Sequence, residues 1–135
     1  MIDEVADAPT LLDAVIDLLN DEVLPQLSQA DTRYKTLIAR NVLDIVRREW
    51  MLGPHAVSAE LAALNRLCGT SDSRLESARL ALCEQLRRGD LDQQIEVIAS
   101  ELLPATAGRL AIDNPRYSTL AALRPMLADV GSGED

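Results

Sequence analysis

The sequence has no phenylalanine, one tryptophan and two tyrosines among its 135 residues. A core built from it must therefore be aliphatic, and it lacks the aromatic platforms that bind single-stranded nucleic acid. Leucine and alanine are abundant, and both favour helices. Valine and isoleucine do not alternate with polar residues in the way that half-buried strands require. We therefore expect an all-α protein, a small bundle of about five to six helices.

Residues that bind metals or carry out catalysis are also scarce. His55 is the only histidine, and Cys68 and Cys83 are the only cysteines. This set cannot complete an ordinary four-ligand metal site without carboxylates, so we predict no metal, and we expect both cysteines to be reduced thiols in the core. Phosphate-binding loops, dinucleotide glycine motifs and nucleophile elbows are missing from the sequence. The sequence thus predicts no cofactor, assigns no catalytic residue and favours a non-enzymatic role.

The charge is strongly and unevenly negative. The net charge is -9, and residues 1–31 hold eight acidic residues with no lysine or arginine. Such a chain repels nucleic-acid phosphates and anionic membrane surfaces. The first residues are acidic where a leader peptide would be basic, and no apolar run approaches the roughly 20 residues that span a bilayer. We therefore predict a cytoplasmic protein that binds neither nucleic acid nor membrane.

Capping residues and apolar periodicity predict the helix boundaries. Thr10 is the expected N-cap of the first helix, which bends or ends at Pro25. The second helix is predicted from about Asp31 to Met51, with a stop at Gly53-Pro54. Further helices are predicted over 58–68, over 73–88 with a Ser73–Glu76 capping box, and from Asp92 to Ile112 with a kink or break at Pro104. A last turn or two falls within 118–127.

These elements predict one helical domain over residues 9–127. Residues 1–8 and 128–135 are expected to be mobile tails, because they are short, polar or small, and lie outside the periodic pattern.

Polar residues interrupt the apolar side of the second helix. Its predicted buried arc consists of Tyr34, Ile38, Val42, Ile45, Val46 and Trp50. Asn41 and Glu49 fall inside this arc and Arg48 falls at its margin. A buried polar group without a partner costs about 1–3 kcal/mol. These residues are therefore either a structural polar network or a site for a ligand or partner, and both interpretations remain open.

A second candidate is the turn Asn114-Pro115-Arg116-Tyr117. Proline restricts the backbone, so Arg116 and Tyr117 project from a rigid turn, where arginine suits a carboxylate or phosphate. The alternative is a simple helix stop whose arginine and tyrosine cover the end of the helix. We predict that this turn docks on the second helix and that Glu49 pairs with Arg116, with a loss of roughly 3–5 kcal/mol if one partner of a buried pair is removed.

Three segments resemble the signatures of an uncharacterised bacterial helical domain family. The first is RNVLDIVRRE at 40–49 followed by Gly53-Pro54, the second is LRRGDLD at 86–92, and the third is LAIDNPRY at 110–117. The resemblance covers about Pro9 to Tyr117. Pro104 departs from the usual helical run of the family before its closing signature.

The resemblance implies a functional setting. Members of this family are similar to proteins encoded beside, or fused to, aminoglycoside-phosphotransferase-like kinases, with acyl-CoA dehydrogenases nearby. It therefore implies a non-enzymatic accessory or interaction domain with such a protein partner in acyl-CoA metabolism. One alternative is a small-ligand-binding or catalytic domain for an acyl or phosphorylated compound, built on Asn41, Arg48, Glu49 and Arg116. Another is a homodimeric structural domain, which would expose an apolar patch on the monomer.

Overall fold

The structure, a computed structural model, describes residues 5–128 and the side chains of residues 5–125. Its five α-helices in this range are α1 Ala8–Leu18, α2 Ala30–Cys68, α3 Leu75–Arg88, α4 Ile95–Asp113 and α5 Leu120–Ala128. No residue of the described range is in a strand, so the all-α prediction is confirmed. The predicted tails fall largely on residues 1–4 and 129–135, which lie outside the described residues.

Two predicted N-caps are wrong. The N-cap of α1 is Asp7, whose Oδ1 accepts a hydrogen bond from the Thr10 backbone N–H at 2.9 Å. The helix can start ahead of Pro9 because the first turn needs no N–H donor there. The hydrogen bonds from Thr10 lower the pKa of Asp7. Helix α3 begins at Leu75 with no side-chain cap, so the expected capping box does not form.

The predicted helix stop at Gly53-Pro54 is wrong, and of the kink or break predicted at Pro104 the break does not occur. Helix α2 continues through Pro54, which joins the predicted second and third helices, and α4 continues through Pro104. A proline inside a helix removes one hydrogen bond and destabilises it by about 3 kcal/mol, which the rest of a long, packed helix offsets. The predicted glycine stops are confirmed, because Gly69 and Gly89 follow α2 and α3 with φ values of 64° and 77°.

The chain forms two compact units that divide inside α2, at 1–52 and 53–135. In the first unit, Ile16 of α1 and Leu24 are buried. A short π-helical segment, Leu19–Val23, and a 3-10 turn, Leu24–Gln26, connect α1 to the loop before α2. The prediction of one domain over 9–127 remains a prediction.

The second unit contains an aliphatic core. Its buried cluster consists of Leu64, Ala78, Leu82, Leu91 and Ile98. Ala107, Ile112 and Leu120 are also buried, on α4 and at the start of α5.

Polar contacts connect the helices of the second unit. Arg79 of α3 pairs with Glu60 of α2 at 2.7 Å, and Arg66 of α2 pairs with Glu101 of α4 at 2.9 Å. The Asn65 side chain orders the loop after α2, because its Oδ1 accepts hydrogen bonds from the Thr70 hydroxyl at 2.9 Å and the Asp72 N–H at 3.1 Å. These contacts hold three helices around the aliphatic core.

Candidate interaction surface and ligand cleft

One side of α2 is a row of arginines at seven-residue spacing. Arg33, Arg40 and Arg47 therefore share a face of the helix. Arg33 Nη1 donates a hydrogen bond to the Leu24 carbonyl at 2.7 Å, and Arg47 pairs with Asp13 of α1. Two of the three arginines thus hold the acidic N-terminal segment. Arg40 Nε is buried and has no hydrogen-bond acceptor within the described residues.

The side of α2 that the sequence predicts to be buried is exposed. We call it the α2 apolar face, and it consists of Tyr34, Ile38, Val42, Ile45, Val46, Trp50 and Leu52. These side chains range from 37% exposed at Ile45 to 65% at Tyr34. The prediction of a buried arc is therefore wrong. The physical reason is that the segment before α2 makes its polar contacts with the arginine row, on the other side of the helix, through Asp13 and the Leu24 carbonyl.

The predicted polar residues of α2 lie on or beside this exposed face. Asn41 is exposed, whereas Arg48 and Glu49 are half-buried and each already interacts with another group of the chain. None of the described polar residues is fully buried. The expected desolvation of Asn41 and Glu49 is therefore wrong for the single chain, since the arc that contains them faces solvent.

The closing turn forms as predicted. The Asn114 N–H donates to the Leu110 carbonyl at 2.8 Å, and the Tyr117 N–H donates to the Asn114 carbonyl at 3.0 Å. Asn114, Arg116 and Tyr117 are all exposed. An ion pair of an exposed arginine is worth about 0–1 kcal/mol, so the larger value expected for a buried pair does not apply. The pairing of Glu49 with Arg116 stays a prediction.

The second unit contains a cleft of about 420 Å³ between α2, α3 and α4. Its lining residues are Glu60, Leu64, Arg79, Leu82, Cys83, Leu102, Ala105, Thr106 and Arg109. None of the six predicted site residues is among them. Sequence reasoning missed this cleft because its residues come from three helices and carry no motif.

Two guanidinium groups lie close together in the cleft. Arg79 donates two hydrogen bonds to Glu60, at 2.7 and 2.8 Å. These bonds raise the pKa of Arg79, against a smaller opposing effect of the positive charge on Arg109. Arg109 also pairs with Asp113 at 3.2 Å. The cleft therefore combines leucine side chains with two cations and one carboxylate.

The two cysteines occupy different environments. Both are free thiols, but Cys83 is exposed in the cleft and Cys68 is half-buried against the core. The prediction of two core thiols is therefore wrong for Cys83, which lies on the open side of α3. Burial, with a smaller contribution from the charge of Asp72, raises the pKa of the Cys68 thiol. Cys83 is the more accessible nucleophile of the two.

Residues 5–128 contain no group of three or more histidine, cysteine, aspartate or glutamate side chains placed to hold a metal ion. No helix in the same range is long and apolar enough to span a membrane.

Over the residues that the structure describes, this is a small all-α protein with an exposed apolar side on α2. The chain belongs to the family described as Domain of unknown function (DUF6285), whose family model matches residues 25–117. All three signature segments lie inside this match, which starts at Pro25 rather than near Pro9, so that α1 is outside it. Comparisons with curated proteins and with solved structures found no significant match.

Proposed function

We propose that this protein is a non-enzymatic interaction domain that acts by packing the α2 apolar face against another helix. The observation that carries the proposal is the exposure of seven large apolar side chains on one side of α2. Large contiguous apolar patches on soluble proteins mark binding surfaces, because leaving them in water is unfavourable. Burying one such side chain contributes about 1.5–3 kcal/mol, so a partner that covers several of them gains substantially.

The charges on α2 favour the α2 apolar face, rather than the arginine-bearing side of the helix, as the surface that binds a partner. Two arginines of the arginine row, Arg33 and Arg47, are engaged within the chain, with the Leu24 carbonyl and with Asp13. The apolar face has the spacing of a helix that docks in a groove or against a second helix, with anchors three, four and seven residues apart.

The family resemblance supplies the proposed setting. We propose an accessory role in the cytoplasm beside an aminoglycoside-phosphotransferase-like kinase or an acyl-CoA dehydrogenase, in acyl-CoA metabolism. Such a domain needs no cofactor of its own, since the chemistry would belong to the partner.

Hydroxyl-radical footprinting tests the proposed function with the natural aromatic residues. Tyr34 and Trp50 lie on the α2 apolar face, and Tyr117, which is 50% exposed, lies outside it and serves as an internal reference. We expect oxidation of Tyr34 and Trp50 to fall at least about threefold relative to Tyr117 when the protein associates, because the face becomes covered. The full chain is measured across concentrations, alone and with each purified partner protein.

The control is Ile45→Glu, which places a charge in the middle of the face and should abolish the protection. Leu80→Glu changes an isolated exposed leucine of α3 and should retain it. Unprotected Tyr34 and Trp50 under every condition would overturn the proposal. Tyr34 and Trp50 that are protected from oxidation at every protein concentration, with or without a partner, would also overturn the proposal. The α2 apolar face would then be covered by its own chain.

The cleft supports a second candidate function, the binding of a small acyl compound with an anionic group. The specific observation is the combination of Leu64, Leu82 and Leu102 with the neighbouring guanidinium groups of Arg79 and Arg109. An apolar pocket with a few convergent polar groups is the usual form of a small-molecule site.

Alkylation of the thiols tests this candidate. Cys83 should react faster than Cys68, because the raised pKa of Cys68 leaves less of it as thiolate at any given pH near neutrality. Millimolar octanoate should slow the alkylation of Cys83 at least about threefold and leave Cys68 unchanged, as followed by mass spectrometry. Octanol, which has the chain without the charge, is the matched control. Equal Cys83 rates with and without octanoate would remove the candidate.

A further inference from the structure

Glu60 fixes the orientation of the Arg79 guanidinium in the cleft. The Nε and Nη2 atoms of Arg79 donate to the two carboxylate oxygens of Glu60, at 2.7 and 2.8 Å. Two parallel hydrogen bonds of this kind hold a planar guanidinium in one orientation. The Glu60 side chain is only 20% exposed, so this pair is partly shielded from water.

A second edge of the same guanidinium is accessible. A guanidinium has five N–H donors, and a carboxylate bound at Nε and Nη2 uses two of them. The edge between Nη1 and Nη2 has two further parallel N–H groups, which can hold another carboxylate in the same way. Glu60 is the only hydrogen-bond partner of the Arg79 side chain among the described residues, and this side chain is 55% exposed. The cleft therefore contains an oriented pair of donors that an anion can reach.

We infer that the cleft binds the carboxylate of a linear-chain acid at the Nη1 and Nη2 edge of Arg79, and that Glu60 positions the guanidinium for it. The inference rests on the second candidate of the proposed function, because it names the head group of the ligand in the same cleft. Arg79 determines specificity through its shape as well as its charge, since a lysine would offer the charge without the planar pair of donors.

The charges of the cleft favour a ligand with one negative charge over a ligand with two. Arg79, Arg109 and Glu60 line the cleft, and their net charge is +1. A carboxylate balances this charge, whereas a phosphate monoester carries about −1.5 to −2 near pH 7. Glu60 occupies the neighbouring edge of the same guanidinium, so it repels a doubly charged head group more strongly. Arg109 is paired with Asp113, which reduces its attraction for a second negative charge.

The hydrocarbon chain of such a ligand is expected to lie beside the Cys83 thiol. Cys83 comes four residues after Arg79 on α3, so the two side chains share one side of the helix, about 6 Å apart along its axis. Leu64, Leu82 and Leu102 line the same cleft. A chain that starts at Arg79 and covers these leucines passes the Cys83 sulfur. Alkylation of Cys83 therefore reports on binding.

The test compares octanoate with octyl phosphate, which have the same chain and different head groups. Binding to the full chain is measured as the ligand concentration that halves the rate of Cys83 alkylation, and each variant is referred to its own rate without ligand. For the wild type we expect this concentration to be at least about threefold lower for octanoate, because Glu60 repels the dianion. An equal or lower value for octyl phosphate would overturn the inference.

Two variants test the roles of the paired residues. Arg79→Lys keeps the positive charge and should raise the half-protecting concentration of octanoate at least about tenfold, because the two parallel donors are lost. Glu60→Gln should abolish the preference for octanoate over octyl phosphate, since it removes the repelling charge and one of the two acceptors that orient Arg79. A purely structural role of Glu60 would leave this preference unchanged, and that result would overturn its assigned role.

Arg88→Lys is the matched control and should leave the half-protecting concentrations unchanged. Arg88 is also on α3 and paired with a glutamate, Glu84, but its side chain is 67% exposed and lies outside the cleft. Circular dichroism checks that each variant keeps its helices, and the comparison of the two ligands on the wild type needs no substitution.

The outcomes separate this inference from the candidate function on which it rests. Equal protection by octanoate in the wild type and in Arg79→Lys would overturn the inference, while the second candidate would stand because the cleft still binds the acid. A wild type whose Cys83 is not protected by octanoate would overturn both.

Discussion

Replacing Leu64 with alanine is expected to lower the free energy of unfolding by about 2–5 kcal/mol. Leu64 is 2% exposed and belongs to the buried cluster of the second unit, together with Ala78 and Leu82. The substitution removes its methyl groups from the core and leaves a cavity that the three surrounding helices can fill only in part. Because a domain of this size is stable by only about 5–15 kcal/mol, the loss is a large fraction of the total.

Denaturant unfolding followed by circular dichroism measures this effect. Leu80→Ala on α3 is the matched control, because Leu80 is 59% exposed and the same truncation there should change stability by no more than about 0.5 kcal/mol. Equal effects of the two substitutions would contradict the position of the core between α2, α3 and α4.

Replacing Pro54 with alanine is expected to raise the free energy of unfolding by about 1–3 kcal/mol. The helix continues through this position, so alanine would restore the hydrogen bond from residue 54 to the Trp50 carbonyl and remove the clash of the proline ring with that turn. The measurement is again denaturant unfolding, with the helical signal at equal protein concentration as a second readout.

Pro115→Ala provides the control for the general effect of removing a proline. Pro115 lies in the turn after α4, where alanine restores no helical hydrogen bond and only increases the freedom of the unfolded chain. It should therefore leave stability unchanged or slightly lower. If Pro54→Ala behaved like Pro115→Ala, the helix would end at Gly53, as the sequence alone predicts.

The helix ends show which helix boundaries a local sequence pattern can predict. Gly69, Gly89 and Asn114 end helices as predicted, because a left-handed glycine or a residue before proline stops a helix through its own backbone. Pro54 and Pro104 do not end their helices. A proline is only an energetic penalty of a few kcal/mol, and whether packing on both sides offsets that penalty depends on residues far away in the sequence.

The candidate sites also differ in how much of each could be predicted from the sequence. The sequence identified the apolar arc of α2 and the polar residues within it, since both follow from helical periodicity. The cleft could not be predicted, because Arg79 and Arg109 are thirty residues apart and neither belongs to a motif. The different accessibility of Cys68 and Cys83 likewise depends on which side of each helix faces the core.

The sequence by itself determined that this protein is helical, where several helices end, and that α2 has one apolar and one arginine-bearing side. Only the tertiary structure decided which side of α2 is covered within the chain. Periodicity predicts that the apolar side is buried, because it counts only the transfer of apolar groups from water. In the structure, the acidic segment before α2 contacts the arginines instead, through Asp13 and the Leu24 carbonyl. Which side of α2 the preceding segment contacts depends on residues far away in the sequence, and a pattern within one helix cannot encode it.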